Sequence, residues 1–269
     1  MFRDESGTEV RVGRLDWLTV ASLLGAVLLL YYLVPLVSLV TSQPLGDVLA
    51  RTTTPTVRAA AATSLTASVI STAIATAFGL PLAYWLARGD GRVATAVTAI
   101  VVLPLVLPPV ASGLVLLTVV GPGTALGELA ASGGVSLTGS LVGVVLAQTF
   151  VASPFVVVTA KAAFESVDRR LEHASRSLGK TRVTTVRRVT LPLAWPGIVA
   201  GMTLAFARAM GEFGATIMLA YYPRTMPVEI WVSFSSRGVE QAFPVAVLLV
   251  GVSVVALLLT NLLRTNPLE

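Results

Sequence analysis

No cysteine occurs among the 269 residues, so disulfides and thiolate metal sites are excluded. Histidine occurs once, as His173, which leaves no clustered imidazoles to hold a metal. Charge is scarce as well: Asp, Glu, Lys and Arg make up 12% of the chain, against roughly one-quarter in soluble domains. In their place stand apolar residues, 55% of the total, many in runs of the length that crosses a bilayer, about 20 residues. Such a chain is an integral membrane protein, with room for about six spans and their loops in one membrane domain.

The runs predict an all-α protein with spans at Trp17 to Val40, Ala59 to Ala87, Val93 to Val120, Ser140 to Ala160, Pro192 to about Ala220, and Phe243 to Leu263. Residues 1–16 form an N-terminal tail, 17–264 the transmembrane domain and 265–269 a C-terminal tail. The first run is longer than the apolar core of a cleaved signal and follows four acidic residues, Asp4, Glu5, Glu9 and Asp16, so it is expected to persist as a span. Gly79 and Pro81 predict a bend in span two. Pro104, Pro108 and Pro109 predict a break in span three. A helix broken at membrane depth needs protein or water over its freed carbonyls, which places span three near the bundle interior. A merely kinked, lipid-facing helix is the alternative.

The net charge of +5 gathers in loops beside spans, where membrane orientation accounts for it and no nucleic-acid partner is needed. With both termini in the cytoplasm, fourteen Lys and Arg fall on the inner side and four (51, 58, 224, 237) on the outer, in line with the positive-inside rule. The loop 161–192 is the main contributor, with eight basic side chains against Glu165, Asp168 and Glu172. Within it Leu171, Ala174 and Leu178 recur at helical spacing, so a short helix turns one apolar stripe toward a partner and leaves Arg169, Arg170 and Arg176 in water. Gly179 is suited to end that helix. Gly179-Lys180-Thr181 imitates the tail of a phosphate-binding loop, but the first glycine of that motif would fall at Ala174 and no strand precedes it. No nucleotide site, metal or cofactor is expected.

The spacing Ala174-Ser175, three residues, Gly179, nine residues, Val189, one residue, Leu191-Pro192 resembles the cytoplasmic coupling loop of ABC-importer permease subunits. Many members carry Glu where His173 stands here, with Glu172 displaced by one. The resemblance implies a coupling helix between spans four and five that docks on a separate ABC ATPase through Glu172, His173, Ala174, Ser175, Leu178, Gly179 and Lys180. It also implies a homodimer in the cell membrane, surrounded by lipid. A plain basic loop has no need of a glycine and a Leu-Pro at fixed separations.

Arg208 and Glu212 read as the only charges that must lie at membrane depth. Isolated charges there cost several kcal/mol, and the i, i+4 spacing lets these two pair on one helical face. The pair serves either helix packing or a substrate. Gly211-Glu212-Phe213-Gly214-Ala215-Thr216, followed by Tyr221-Tyr222-Pro223-Arg224-Thr225-Met226-Pro227, looks like permeases for molybdate, tungstate and sulfate. That resemblance implies a tetrahedral oxyanion, most simply molybdate or tungstate, delivered by an extracytoplasmic binding protein, with Arg208, Gly211, Glu212 and Gly214 along the translocation pathway. A sulfate or thiosulfate permease is the alternative within the class. A membrane-embedded enzyme is disfavoured, since one Arg and one Glu at depth offer no acid–base or metal site. A passive channel would leave the coupling loop without a purpose.

Overall fold

The computed structural model describes residues 17–262, so both expected tails lie outside the described residues. The chain divides into two compact units between Val48 and Leu49. The first carries α1 (Trp17–Thr41), whose 25 residues have no buried side chain. At 1.5 Å per residue it is about 37 Å long, enough for a bilayer core of about 30 Å. The short helix α2 (Leu45–Thr52) contains the boundary.

The second unit begins in α2 and continues with α3 (Pro55–Arg88), 34 residues without interruption. Gly79 and Pro81, where a bend is expected, both lie inside this one helix. Span three, by contrast, is broken into α4 (Arg92–Val106) and α5 (Pro109–Val120), bent by 118°. The cause is local. Leu107 and Pro108 each precede a proline, which disfavours the helical region, and both adopt extended ψ angles of 135° and 137°. Pro104 remains within α4.

A further short helix, α6 (Ala125–Ser132), occupies the expected second outer loop. The Thr124 hydroxyl caps it, accepting from the amide of Gly127 at 3.0 Å. Next comes α7 (Leu141–Ser166), then α8 (Arg169–Ser177) and the single turn α9 (Arg182–Thr185). A π-helical turn, Val186–Thr190, joins α9 to α10 (Leu191–Met210), so span five begins near Arg182 and not at Pro192 as the sequence implied. Pro192 has no amide to offer and its ring crowds the carbonyl four residues back. The widened turn relieves this; the Leu191 amide donates to Val186 O, five residues back. Span five also stops early. It ends at Met210, and α11 (Gly214–Leu219) follows as a separate short helix. The chain closes with α12 (Met226–Arg237) and α13 (Val239–Leu262), which meet at Gly238.

The core is the seam between α3 and α7. Ala60, Ser64, Ala67, Ser68, Ser71, Ala75, Gly79 and Ala83 form a buried small-residue stripe on α3. Small side chains let membrane helices approach closely, and a Cβ on Gly79 would lie only 3.2 Å from Val157. Ser71 contacts Gln148, Gly79 faces Val157, and Arg88 reaches the carbonyl of Phe164. The offset along these pairs stays near 77 residues, so α3 and α7 run parallel. The helix α10 packs antiparallel on α7, with Gly197 against Ala163 and Gly201 against Thr159.

Parallel packing settles the crossings of this unit. The chain leaves α3 at Arg88 and enters α7 at the opposite end, so the bent pair α4–α5 makes one net crossing. Together with α1, α3, α7, the helix 182–210 and α13, it gives six candidate spans. We predict that cysteines placed singly at Ser132 and Ser177, both exposed, react with membrane-impermeant reagents from opposite faces of sealed vesicles. Labelling of both from one face would contradict the single crossing by α7.

Candidate functional site

Helix α8 begins at Asp168, whose carboxylate accepts from the amide of Arg170 at 2.8 Å. It ends as the glycine spacing indicated: Leu178 caps it and Gly179 takes a φ of +80°, a conformation that favours a residue without Cβ. Leu171 and Leu178 are exposed, the latter at 80%, and Ala174 between them is exposed as well. The helix thus presents an uncovered apolar row. His173, Gly179 and Lys180 line an open depression with Arg176 and Thr181. Ser175 turns inward, its hydroxyl 3.0 Å from that of Thr185.

Glu172 faces the opposite way, into the protein. Its Oε1 lies 2.6 Å from Nη2 of Arg88, the last residue of α3, and accepts from the Thr190 hydroxyl at 2.7 Å. Arg88 Nη1 donates at 2.8 Å to the carbonyl of Phe164 on α7. One guanidinium and one carboxylate therefore join α3, α7, α8 and the start of α10. Burial alone would raise the Glu172 pKa. The hydrogen bonds from Arg88 and Thr190, with the charges of Arg88 and Arg169, outweigh it and hold the carboxyl below its ordinary value. The sequence reading put Glu172 among the coupling residues without finding this junction, because Arg88 lies 84 positions away.

At the far end of α10, Arg208 and Glu212 do pair, with Nη2 and Oε2 2.5 Å apart. The approach is a charge contact and not an aligned hydrogen bond. Glu212 is 1% exposed, and its other oxygen accepts from the amide of Ala215 at 2.7 Å. The carboxylate thus sits at the amino end of α11 and the guanidinium at the carboxyl end of α10, each where the helix dipole favours it. Arg208 remains partly exposed, at 26%. Gly211, also exposed, ends α10. Gly214 is buried against α5, where a Cβ would lie 2.7 Å from Pro109 and 2.9 Å from the amide of Val110. It sets the distance between the two broken spans.

A third buried carboxylate escaped the sequence reading. Glu229 of α12 is 1% exposed and bound by Arg224 at 3.0 Å, by Ser233 at 3.1 Å and by Arg237 at 3.4 Å. Arg224 and Arg237 were both assigned to the outer face, Arg224 also within the Tyr221–Pro227 motif, but neither as a partner of Glu229. The i, i+4 and i, i+8 positions of Ser233 and Arg237 on one helix were the available signal.

Residues 79–266 match the family of binding-protein-dependent transport system inner membrane components. The chain belongs to that family. This permease is 58% identical over 253 residues to the probable molybdenum ABC transporter permease protein of Haloferax volcanii, covering 94% of this chain and 93% of the relative. It is 34% identical over 232 residues to the molybdate/tungstate transport system permease protein of Pyrococcus abyssi, covering 86% and 88%. Among solved structures, a bacterial alginate ABC transporter in complex with an alginate pentasaccharide-bound periplasmic protein superposes with a TM-score of 0.74 at 19% identity, over 93% of this chain and 94% of that one. The inward-facing methionine ABC transporter MetNI gives 0.59 at 20% identity, over 75% and 91%. Both likenesses are of fold. The permease is a multi-pass membrane protein and a transport subunit, not an enzyme.

Two expectations follow for the permease. Arg88→Met strands a buried Glu172 and should cost on the order of 3 kcal/mol of stability, read as a lowered melting temperature, which Glu172→Gln added in the same chain should largely restore. Because folding depresses the Glu172 pKa, its contribution is full above the ordinary value of 4.5 and is lost as pH falls through the lower folded value. The stability gap between wild type and Glu172→Gln should accordingly be flat from pH 5 to 8, on the order of the neutral range, and shrink only in stronger acid. The second expectation is steric: Gly214→Val should destabilise by about 1–3 kcal/mol through overpacking on α5, whereas Gly211→Ala, with only Ala207 O at 3.6 Å nearby, should leave the melting temperature unchanged.

Proposed function

We propose that the permease carries a tetrahedral oxyanion, molybdate or tungstate, into the cell as a homodimer powered by a separate ABC ATPase. The observation that carries the substrate is the 58% identity, over 94% of the chain, to a permease named for molybdenum. An extracytoplasmic binding protein delivers the anion on the side of α6 and the α12–α13 hairpin. The α8 side, with most of the loop Lys and Arg, is cytoplasmic, and so are both termini.

On this reading the exposed row Leu171, Ala174 and Leu178 is the surface that α8 offers to the ATPase, flanked by His173, Gly179 and Lys180. Glu172 and Ser175 face inward and transmit, through Arg88 and Thr185, what the outer face receives. Arg208 supplies the cation of the pathway, being partly exposed at the end of α10 beside the exposed Gly211. Glu212 and Gly214 are buried, so their part is to position Arg208 and the α10–α11 break. Each polar contact with a passing dianion is weak, because a tight site would stall release.

Uptake by the reconstituted dimer with its ATPase and binding protein separates these roles. Labelled molybdate or tungstate should accumulate with ATP, and sulfate should compete poorly; preferential sulfate accumulation would overturn the substrate. Arg208→Met alone leaves Glu212 buried and unpaired and should lose both stability and uptake. Arg208→Met with Glu212→Gln removes both charges at similar volume. That double variant should fold, assemble and hydrolyse ATP while uptake stays low, and near-normal uptake from it would reduce the pair to a structural one.

A further inference from the structure

Beside α8 lies a cleft of about 420 Å³ that takes no part in the anion pathway and shares with the docking residues only Glu172 and His173. Its walls are the inner end of α3, one side of α8, and α9. At about 100° per residue, Arg169, Glu172, His173 and Arg176 share the side of α8 that lines the cleft, while Leu171, Ala174 and Leu178 point the opposite way. An ATPase seated on the apolar row therefore approaches α8 from the side opposite the cleft.

Its charge is one-sided. Arg88 and Glu172 neutralise each other. Arg169, Arg176 and Arg182 also line the space, and no further carboxylate does. Arg169 reaches only the carbonyl of Ala87, at 3.4 Å, and the guanidinium groups of Arg176 and Arg182 make no hydrogen bond or ion pair among the described residues. Three guanidinium forks around one cavity match the oxygens of a phosphate better than any neutral ligand. Tyr84 and Trp85, at the end of α3, complete the wall, and Trp85 is 47% exposed. Aromatic rings of this kind settle at the level of lipid headgroups, and basic pockets at that level on the cytoplasmic side suit anionic lipids.

We propose that this cleft binds the phosphate of an anionic phospholipid from the adjacent leaflet, joining Arg176 of α8 and Arg182 of α9 to the end of α3. A soluble phosphate-class anion shares the chemistry, but it gains nothing from Tyr84 and Trp85 at the membrane surface. The bound headgroup offsets the repulsion among the three guanidinium groups and steadies α8 from the side away from the ATPase. The inference rests on the proposed cytoplasmic placement of α8 only for which leaflet supplies the lipid; retention itself is read without that assignment.

The test uses the full permease with its ATPase in nanodiscs of phosphatidylcholine alone or mixed with phosphatidylglycerol. Native mass spectrometry counts retained lipid, and ATP hydrolysis is followed in parallel. The wild-type complex should retain phosphatidylglycerol preferentially and hydrolyse ATP faster in the mixture. Each cation near a charged surface is worth about a factor of five in affinity, so Arg176→Gln with Arg182→Gln should weaken retention about twenty-five-fold at an unchanged melting temperature. Equal retention of both lipids by the wild type, or retention unaffected in the double variant, would overturn the proposal. Occupancy by inorganic phosphate with no lipid preference would overturn the lipid assignment.

Discussion

The close approach of α3 and α7 is the constraint on which the rest of the permease depends. Without an oil–water driving force between them, helices in a bilayer hold together through packing and hydrogen bonds, and both require short distances. The stripe from Ala60 to Ala83 supplies that shortness over most of α3. It fixes the two helices as a parallel pair, and that direction forces the intervening chain to cross once more. Helix α10 is then added to α7 by the same means, through Gly197 and Gly201. Three helices are joined in this way.

Ion pairs tie short elements to this slab along its length. At one end Arg88 and Glu172 attach α8 to α3 and α7. Near the middle Arg208 and Glu212 bridge α10 to α11, beside Ala75 and Ala152, and toward the other end Glu229 gathers Arg224 and Arg237 around α12. None of these buried carboxylates is a strong source of stability, because desolvation offsets most of the attraction. What they contribute is specificity: each is satisfied in one arrangement only, and the arrangement ties a short element to a long one.

The apolar runs and their lengths were enough to place the spans, and proline pairs were enough to break span three, since both effects are local. The failures are equally physical. Leu191-Pro192 looked like a start because proline suits the first turn, but a π turn absorbed it and the helix began at Arg182. Polar residues in a basic loop read as partner-facing; Glu172 is buried because its counter-charge arrives from α3, 84 positions earlier. Glu229 was missed for the same reason of partners brought together by folding, though Ser233 and Arg237 on its own helix were visible.

Two interruptions of regular backbone come together where Gly214 rests on Pro109. The break at Leu107 and Pro108 separates α4 from α5, and the break at Gly211 to Phe213 separates α10 from α11. Helical hydrogen bonds do not continue across either break, so rotating α5 and α11 away from the slab sacrifices side-chain contacts but few backbone bonds. Both breaks lie beside the middle of the slab, where Ala209 and Ala215 meet Ala152 and Val151 of α7. The long helices next to α8 are unbroken at this depth, so the stiff part of the unit and the part that bends most cheaply are separate stretches of chain packed side by side.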